Sequence, residues 1–161
     1  MGNKELSLEE VKTLYKEFEE KYSLPSFEEL NKNFQIEKVI ESETDYLLRE
    51  LRKHIAEKLY NYLRFAETLL NPVNAPFFIL SLAKSMNPKK KKKLEEIYKK
   101  LAKNEIKLFK VDLIYSEEKE AEFIKDSSNL WEKIKRDFLE IIEDTEKNLD
   151  NKFEKTRGYF G

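Results

Sequence analysis

The sequence predicts an all-α fold, a single-domain helical bundle of about five to six helices, and three observations lead to this class. Only three glycines and four prolines interrupt 161 residues, so the chain has few signals that end a helix. Apolar residues make up 40% of the chain and recur at spacings of three and four, the period of an α-helix. Eleven phenylalanines, eight tyrosines and one tryptophan supply apolar area for a core, although 39% of the residues are charged. The domain is expected to span residues 1–161.

Capping motifs place the first two helices. Ser7 followed by Glu10 is a capping box, which predicts a helix over residues 8–22. A second Ser-x-x-Glu sequence, beginning at Ser26, opens a short second helix after Leu-Pro has ended the first. Between residues 34 and 40 the apolar residues partly alternate, so we expect an extended segment that lies across the helices.

Two long helices are predicted to form the spine of the bundle. Over residues 44–70 apolar side chains step by three or four, and Asn-Pro ends the pattern. A second long pattern covers residues 117–155 behind a serine cap, with a possible break at residues 127–129 and an end at Gly158. These two helices are expected to form the spine around the apolar segment of residues 76–86.

The apolar segment of residues 76–86 is hydrophobic on every side, which predicts a short buried central helix or a helix at an interface. It is much shorter than the roughly 20 apolar residues that span a bilayer. Its aromatics beside the following lysines also suit an anchor on a membrane surface. A buried helix explains the segment better, so no membrane partner is expected.

A run of five lysines occupies residues 89–93, directly after an Asn-Pro sequence that signals a helix start at residue 88. Cations in the first turn of a helix are disfavoured by roughly 0.3–1 kcal/mol each. Residues 84–110 hold eleven lysines against three glutamates, whereas residues 111–150 hold thirteen acids against six bases. Either the lysines form a basic surface for a partner, or the two segments pack together and neutralise each other.

The candidate binding residues fall into two groups. The candidate basic patch lies on the helix predicted for residues 87–110 and consists of Lys89, Lys90, Lys91, Lys92, Lys93, Lys99, Lys100 and Lys103. It is a solvated surface, a contact for an acidic protein, or a nucleic-acid footprint, although an isoelectric point near 6.1 is atypical of the last. The candidate tail is the aromatic C-terminus, residues 157–161, where Tyr159 and Phe160 either fold back on the domain or dock on another protein.

Enzymatic chemistry is not expected. The single histidine, His54, shares a helix stripe with Glu50 and Glu57, but one histidine cannot supply the two Glu-x-x-His motifs of a dimetal bundle. All three glycines are near the termini, so no glycine-rich loop can hold a phosphate, and the chain has no cysteine. The sequence therefore predicts no catalytic, cofactor-binding or metal-binding residues and no cofactor.

Three segments resemble small helical proteins of archaea that have no assigned function: residues 24–30, 47–52 and 158–161. The resemblance implies a cytoplasmic, heat-adapted setting and assigns no functional residue. A cytoplasmic location is also expected because the N-terminus lacks the apolar core of a signal peptide. The abundance of Lys and Glu is typical of heat-adapted proteins, and an AT-rich genome produces the same bias.

The sequence thus favours a non-catalytic helical interaction or scaffold module, which self-associates or belongs to a larger assembly. The alternative is a nucleic-acid-associated accessory factor that uses the lysines of residues 89–93. Exposed Phe or Trp on the folded surface would favour a protein partner. A continuous lysine stripe beside exposed Tyr would favour nucleic acid.

Overall fold

The structure, a computed structural model, describes residues 6–41 and 46–159, with side chains for residues 6–39 and 46–151. Within these ranges it contains six α-helices, one 3-10 helix between the second and third of them, and no strand. The elements are α1 Leu8–Tyr22, α2 Phe27–Phe34, the 3-10 helix Ile36–Glu41, α3 Leu47–Leu70, α4 Phe77–Ser85, α5 Pro88–Leu113 and α6 Glu117–Tyr159. The predicted all-α, single-domain helical bundle is confirmed. The bounds of that domain, residues 1–161, stay a prediction.

The capping box predicted at Ser7 and Glu10 forms in full, and of the capping box predicted at Ser26 and Glu29 the serine cap forms. The Ser7 hydroxyl accepts from the Glu10 amide, and the Glu10 carboxylate accepts from the Ser7 amide at 2.8 Å. The Ser26 hydroxyl likewise accepts from the backbone amide at the third position of α2. Both helices end at a residue in the left-handed conformation, Ser23 and Gln35, each with φ of 53°. The amides of these two residues donate back to helix carbonyls, which fixes both ends.

The prediction of an extended segment over residues 34–40 was wrong. Residues 36–41 form a 3-10 helix instead. Ile36 and Val39 are both buried, and residues three apart lie on the same side of a 3-10 helix. A short helical turn therefore buries Ile36 and Val39 together, whereas an extended segment would point them to opposite sides.

The structure contains three long helices where the sequence analysis singled out two, because α5 has 26 residues beside the 24 of α3 and the 43 of α6. The predicted break at residues 127–129 does not occur. Ser127 and Ser128 are buried inside an uninterrupted α6, and the Ser127 hydroxyl accepts a hydrogen bond from Asn104 of α5 at 3.2 Å. Gly158 does not end the helix either, since the helical backbone continues to Tyr159.

The chain groups into two compact units. The first unit comprises Met1–Tyr60 and Lys103–Trp131, and the second comprises Asn61–Ala102 and Glu132–Gly161. In the first unit the Tyr15 ring packs edge-on against Phe27 at 5.7 Å, and its hydroxyl donates to the Pro25 carbonyl at 2.5 Å. Burial raises the pKa of Tyr15, as expected for a phenol held as a donor away from water.

In the second unit the core centres on Phe138 of α6. Tyr62 and Phe65 of α3 pack edge-on against this ring, with centroids 5.4 and 6.0 Å away. Buried aliphatic side chains from three long helices and from α4 complete the core: Leu63, Ala66, Leu69, Ile79, Leu82, Leu94, Ile97, Leu101, Ile134 and Ile141. These residues recur every three or four positions along each helix, as the sequence pattern predicts.

Candidate functional site

The lysine run starts α5, and two of its members face acids of α6 within the second unit. The Lys90 Nζ lies 2.5 Å from Asp144, and the Lys93 Nζ lies 3.3 Å from Asp137 and 3.4 Å from Glu140. The hydrogen bond from Lys90 lowers the pKa of Asp144, and the hydrogen bonds to Asp137 and Glu140 raise the pKa of Lys93. Basic α5 and acidic α6 thus neutralise each other in part, which was one of the two alternatives open from the sequence.

The other six lysines of the candidate basic patch are exposed: Lys89, Lys91, Lys92, Lys99, Lys100 and Lys103. None of the six has an acidic partner among the residues that the structure describes. Lys103 belongs to the first unit and the others to the second. The helix start itself is capped as predicted, because the Asn87 side-chain oxygen accepts from the Lys90 amide at 2.8 Å. Six of the eight lysines in the candidate basic patch are therefore left to contact a partner.

The candidate tail falls mostly outside the described residues. Tyr159 is the last residue of α6, and its side chain is not among those described. Phe160 lies beyond the described part of the chain. Both predicted roles of the tail stay predictions.

His54 has a structural contact. Its Nε2 lies 2.8 Å from the carbonyl oxygen of Phe34, and since a carbonyl only accepts, the imidazole donates. Phe34 is the last residue of α2, where carbonyls lack a partner within the helix, so the histidine completes that helix end. Glu50 pairs with Lys53 at 3.1 Å. Among the described residues no group of three or more His, Cys, Asp or Glu side chains could hold a metal ion.

A buried ionic network in the first unit was not predicted. Arg52 of α3 contacts Glu120 of α6 through two nitrogens, at 2.5 and 3.0 Å, and Asp112 of α5 through a third, at 2.8 Å. Burial opposes the charge on Arg52, but its hydrogen bond to Glu120 and the two carboxylate charges outweigh it and raise the pKa. A signal was present, because Arg52 and Glu120 both occupy positions of the apolar period. Glu120, for example, precedes buried Ile124 by four residues.

An apolar patch at the end of α5 was also missed. We call it the distal α5 patch, and it consists of five exposed residues of the first unit: Ile106, Phe109, Leu113, Ile114 and Tyr115. Phe109 is 61% exposed and Leu113 is 82% exposed. The Tyr115 ring packs edge-on against exposed Tyr46 at 5.5 Å. The signal in the sequence was a second group of apolar residues on α5, over residues 106–115. Its spacing fits in part the period of a helix and in part that of a strand.

The predicted burial of the short apolar helix holds for one face of α4 only. Ile79 and Leu82 are buried, whereas Phe78 is exposed and Phe77 is 83% exposed. In the turn before α4, Val73 is exposed as well. We call Val73, Phe77 and Phe78 the α4 tip. A helix that is apolar on every side is normally buried. Exposed apolar side chains on such a helix mark an interaction site.

A groove between α5 and α6 of the first unit lies beside the distal α5 patch. It has a volume of about 210 Å³, with Val111 and Phe123 at its floor and charged side chains, among them Lys107 and Asp126, at its rim. Pockets for small organic ligands usually measure about 300–1,000 Å³. Lys107 and Asp126 are themselves paired at 3.2 Å. The groove is thus a shallow feature of the packing between two helices.

Comparison with known proteins finds no family model that matches the chain, no similar curated protein and no similar solved structure. None of the described helices combines the length and apolarity needed to cross a membrane.

Proposed function

We propose that this protein is a non-catalytic helical interaction module that binds a protein partner through the distal α5 patch. The observation that carries the proposal is the exposure of Phe109 and Leu113 beside three further apolar side chains. Exposed large apolar side chains clustered in this way are uncommon on proteins that act alone and mark contact sites. The proposal includes a cytoplasmic location.

The geometry of the patch fits recognition of another helix or of a groove. Ile106, Phe109 and Leu113 are spaced i, i+3 and i+7, so they lie along one side of α5. This is the anchor spacing of an amphipathic helix that lays its apolar face on a partner. The opposite side of α5 is held in the core by Val111, which packs with Ala56 and Phe123. We call Ile106, Phe109 and Leu113 the α5 ridge. Because the other side of the helix is packed in the core, the ridge is already formed before a partner binds.

The alternative function, a nucleic-acid-associated accessory factor, would use the lysines of residues 89–93. Pairing of Lys90 and Lys93 with α6 leaves Lys89, Lys91 and Lys92 for phosphate contacts. Three such contacts with duplex DNA would give a slope of about −2.7 for log affinity against log salt. That function does not require the distal α5 patch.

The test compares a triple and a double variant of the full chain in co-purification from source cells. Ile106→Ser, Phe109→Ser and Leu113→Ser together remove the ridge. Leu139→Ser with Ile142→Ser removes exposed apolar residues from α6 as a matched control. We expect the ridge variant to lose the partners that the wild type and the control retain.

Light scattering after size exclusion, on the same proteins, shows whether the partner is a second copy. Circular dichroism checks that both variants fold, which we expect because the replaced side chains are exposed. Partners that survive loss of the ridge but disappear after nuclease treatment would overturn the proposal and support the nucleic-acid alternative.

A further inference from the structure

The α4 tip displays two phenyl rings from a helix that is anchored by its other face. Ile79 and Leu82 hold α4 in the second unit, while Phe77 and Phe78 occupy its first turn and point away from that core. Val73 is exposed in the preceding turn, where Asn74 adopts a left-handed conformation with φ of 60°. Three apolar side chains are therefore exposed in the first turn of α4 and in the turn before it.

The chain around the α4 tip carries only positive charge. Residues 68–94 contain six lysines and no aspartate or glutamate. Lys90 and Lys93 are paired with acids of α6, but Lys84, Lys89, Lys91 and Lys92 are exposed. None of these four has an acidic partner within the described part of the chain.

The free lysines follow the tip in the same stretch of chain, at the opposite end of α4 and at the start of α5. Only Met86 and Asn87 separate α4 from α5, and a nine-residue helix such as α4 is about 13 Å long. The apolar residues and the cations thus belong to one continuous segment of the second unit.

We infer that the α4 tip and the four free lysines form a docking surface for anionic membrane lipids. Lipid headgroups attract the lysines, and the boundary between headgroups and acyl chains accepts the phenyl rings and Val73. A nucleic acid would use the lysines but offers no apolar layer for an aliphatic side chain such as Val73. The surface lies in a different unit from the distal α5 patch, so this inference is independent of the proposed function.

This binding needs no helix that crosses the bilayer, so it agrees with the absence of such a helix among those described. The expectation of no membrane partner rested on a fully buried helix over residues 76–86. The exposure of Phe77 and Phe78 removes that premise. Two signals, apolar insertion and a basic patch, are what a reversible surface anchor requires.

The first experiment measures co-sedimentation of the full chain with vesicles. We expect binding to phosphatidylcholine vesicles that contain phosphatidylserine, little binding to pure phosphatidylcholine, and weakening as salt rises. Each lysine near an anionic surface contributes about 1 kcal/mol, so Lys89→Ser, Lys91→Ser and Lys92→Ser together should weaken binding about 100-fold. The matched control, Lys99→Ser, Lys100→Ser and Lys103→Ser, removes the same charge farther from the tip along the chain and should weaken binding far less.

The second experiment tests the apolar contacts. Phe77→Ser with Phe78→Ser should weaken vesicle binding at least tenfold, whereas Phe109→Ser should leave it unchanged. In a Phe78→Trp variant, fluorescence should shift to the blue on mixed vesicles, relative to the wild type with its single Trp131. Circular dichroism verifies that the variants fold, which we expect because the substituted positions are exposed.

Three results would overturn the inference: no binding to mixed vesicles, equal binding after loss of both phenylalanines, or a Phe78→Trp variant whose emission does not shift on mixed vesicles. Competition arms separate other anions. If an RNA oligonucleotide displaces the chain and binds the phenylalanine variant as tightly as the wild type, the lysines serve nucleic acid. If inorganic phosphate displaces the chain from vesicles, the lysines recognise free phosphate and not a lipid surface.

Discussion

Arg52 and Glu120 form a bidentate ion pair in the interior of the first unit, where the two side chains are 3% and 1% exposed. The Arg52 Nε lies 2.5 Å from one carboxylate oxygen, and its Nη2 lies 3.0 Å from the other. The remaining Nη1 reaches Asp112, which is about half exposed, at 2.8 Å. One guanidinium therefore links α3, α5 and α6 within that unit, and its charge is balanced on both sides.

Removal of either member of the buried pair should destabilise the protein strongly. Arg52→Ala leaves the buried Glu120 carboxylate uncompensated, so we expect the free energy of unfolding to fall by about 3–5 kcal/mol. Glu120→Ala leaves Arg52 with Asp112 as its remaining partner, so its loss should lie at the lower end of that range. Asp112→Ala removes a partner at the surface and should lower it by only about 0–1 kcal/mol. Urea denaturation of the three variants measures the difference.

Replacement of both charges provides the control for that experiment. Arg52→Met with Glu120→Leu removes the pair without leaving a lone charge, so this variant should be more stable than either single variant. With Arg52→Met and Glu120→Leu also measured singly, the double-mutant cycle then gives a large coupling energy. If the losses of the two single variants simply add in the double variant, the pair does not act as described.

The contact between α1 and the start of α6 should weaken in acid. The Tyr22 hydroxyl and the Lys21 ammonium donate to Glu117 at 2.7 and 2.9 Å and lower the pKa of Glu117, the tyrosine contributing more. A folded-state pKa below the unfolded value of 4.5 means that the stabilisation is present above pH 4.5. It is lost as the pH falls through the folded-state pKa.

NMR titration of the Glu117 carboxylate measures this directly and should give a pKa below 4.5. Glu117→Gln should be less stable than the wild type at neutral pH, and the difference should shrink as the pH falls below 4.5 through the folded-state pKa. Glu118→Gln, one residue along the same helix, is the control. The stability difference between this variant and the wild type should not shrink in the same way as the pH falls. A Glu117 pKa of 4.5 or higher would contradict the contact.

The sequence predicted the parts of this fold that depend on neighbours along the chain. Ser7, Ser26 and Asn87 cap helices because their side chains reach amides only three residues away. The partners of Arg52 could not be predicted in this way, since Glu120 is 68 residues distant and the pairing depends on helix packing. The pairing of the lysine run with α6 was left as an alternative for the same reason. Periodicity also could not show which apolar side of α4 or α5 faces the core, because both sides carry apolar residues.

The start of α5 should be stabilised by removal of positive charge. Lys89 lies in the first turn, where the helix dipole disfavours cations, and has no acidic partner among the described residues. Lys89→Glu should raise the free energy of unfolding by about 0.3–1 kcal/mol, with a smaller gain at high salt. Lys93→Ser removes the contacts to Asp137 and Glu140 and should not stabilise. Thermal denaturation of both variants at two salt concentrations compares them, and destabilisation by Lys89→Glu would count against the dipole argument.

The buried hydrogen bond between Asn104 of α5 and Ser127 of α6 should stabilise α6 at the point where the sequence suggested a break. The Asn104 amide donates to the Ser127 hydroxyl at 3.2 Å, and both residues are buried. Ser127→Ala leaves that amide without its acceptor, which should lower the free energy of unfolding by about 1–3 kcal/mol. Asn104→Leu with Ser127→Ala removes both partners and should recover part of the loss. Hydrogen exchange completes the test: amides of residues 126–130 should exchange as slowly as those of residues 121–125, and faster exchange only at the serines would mean that the helix breaks there.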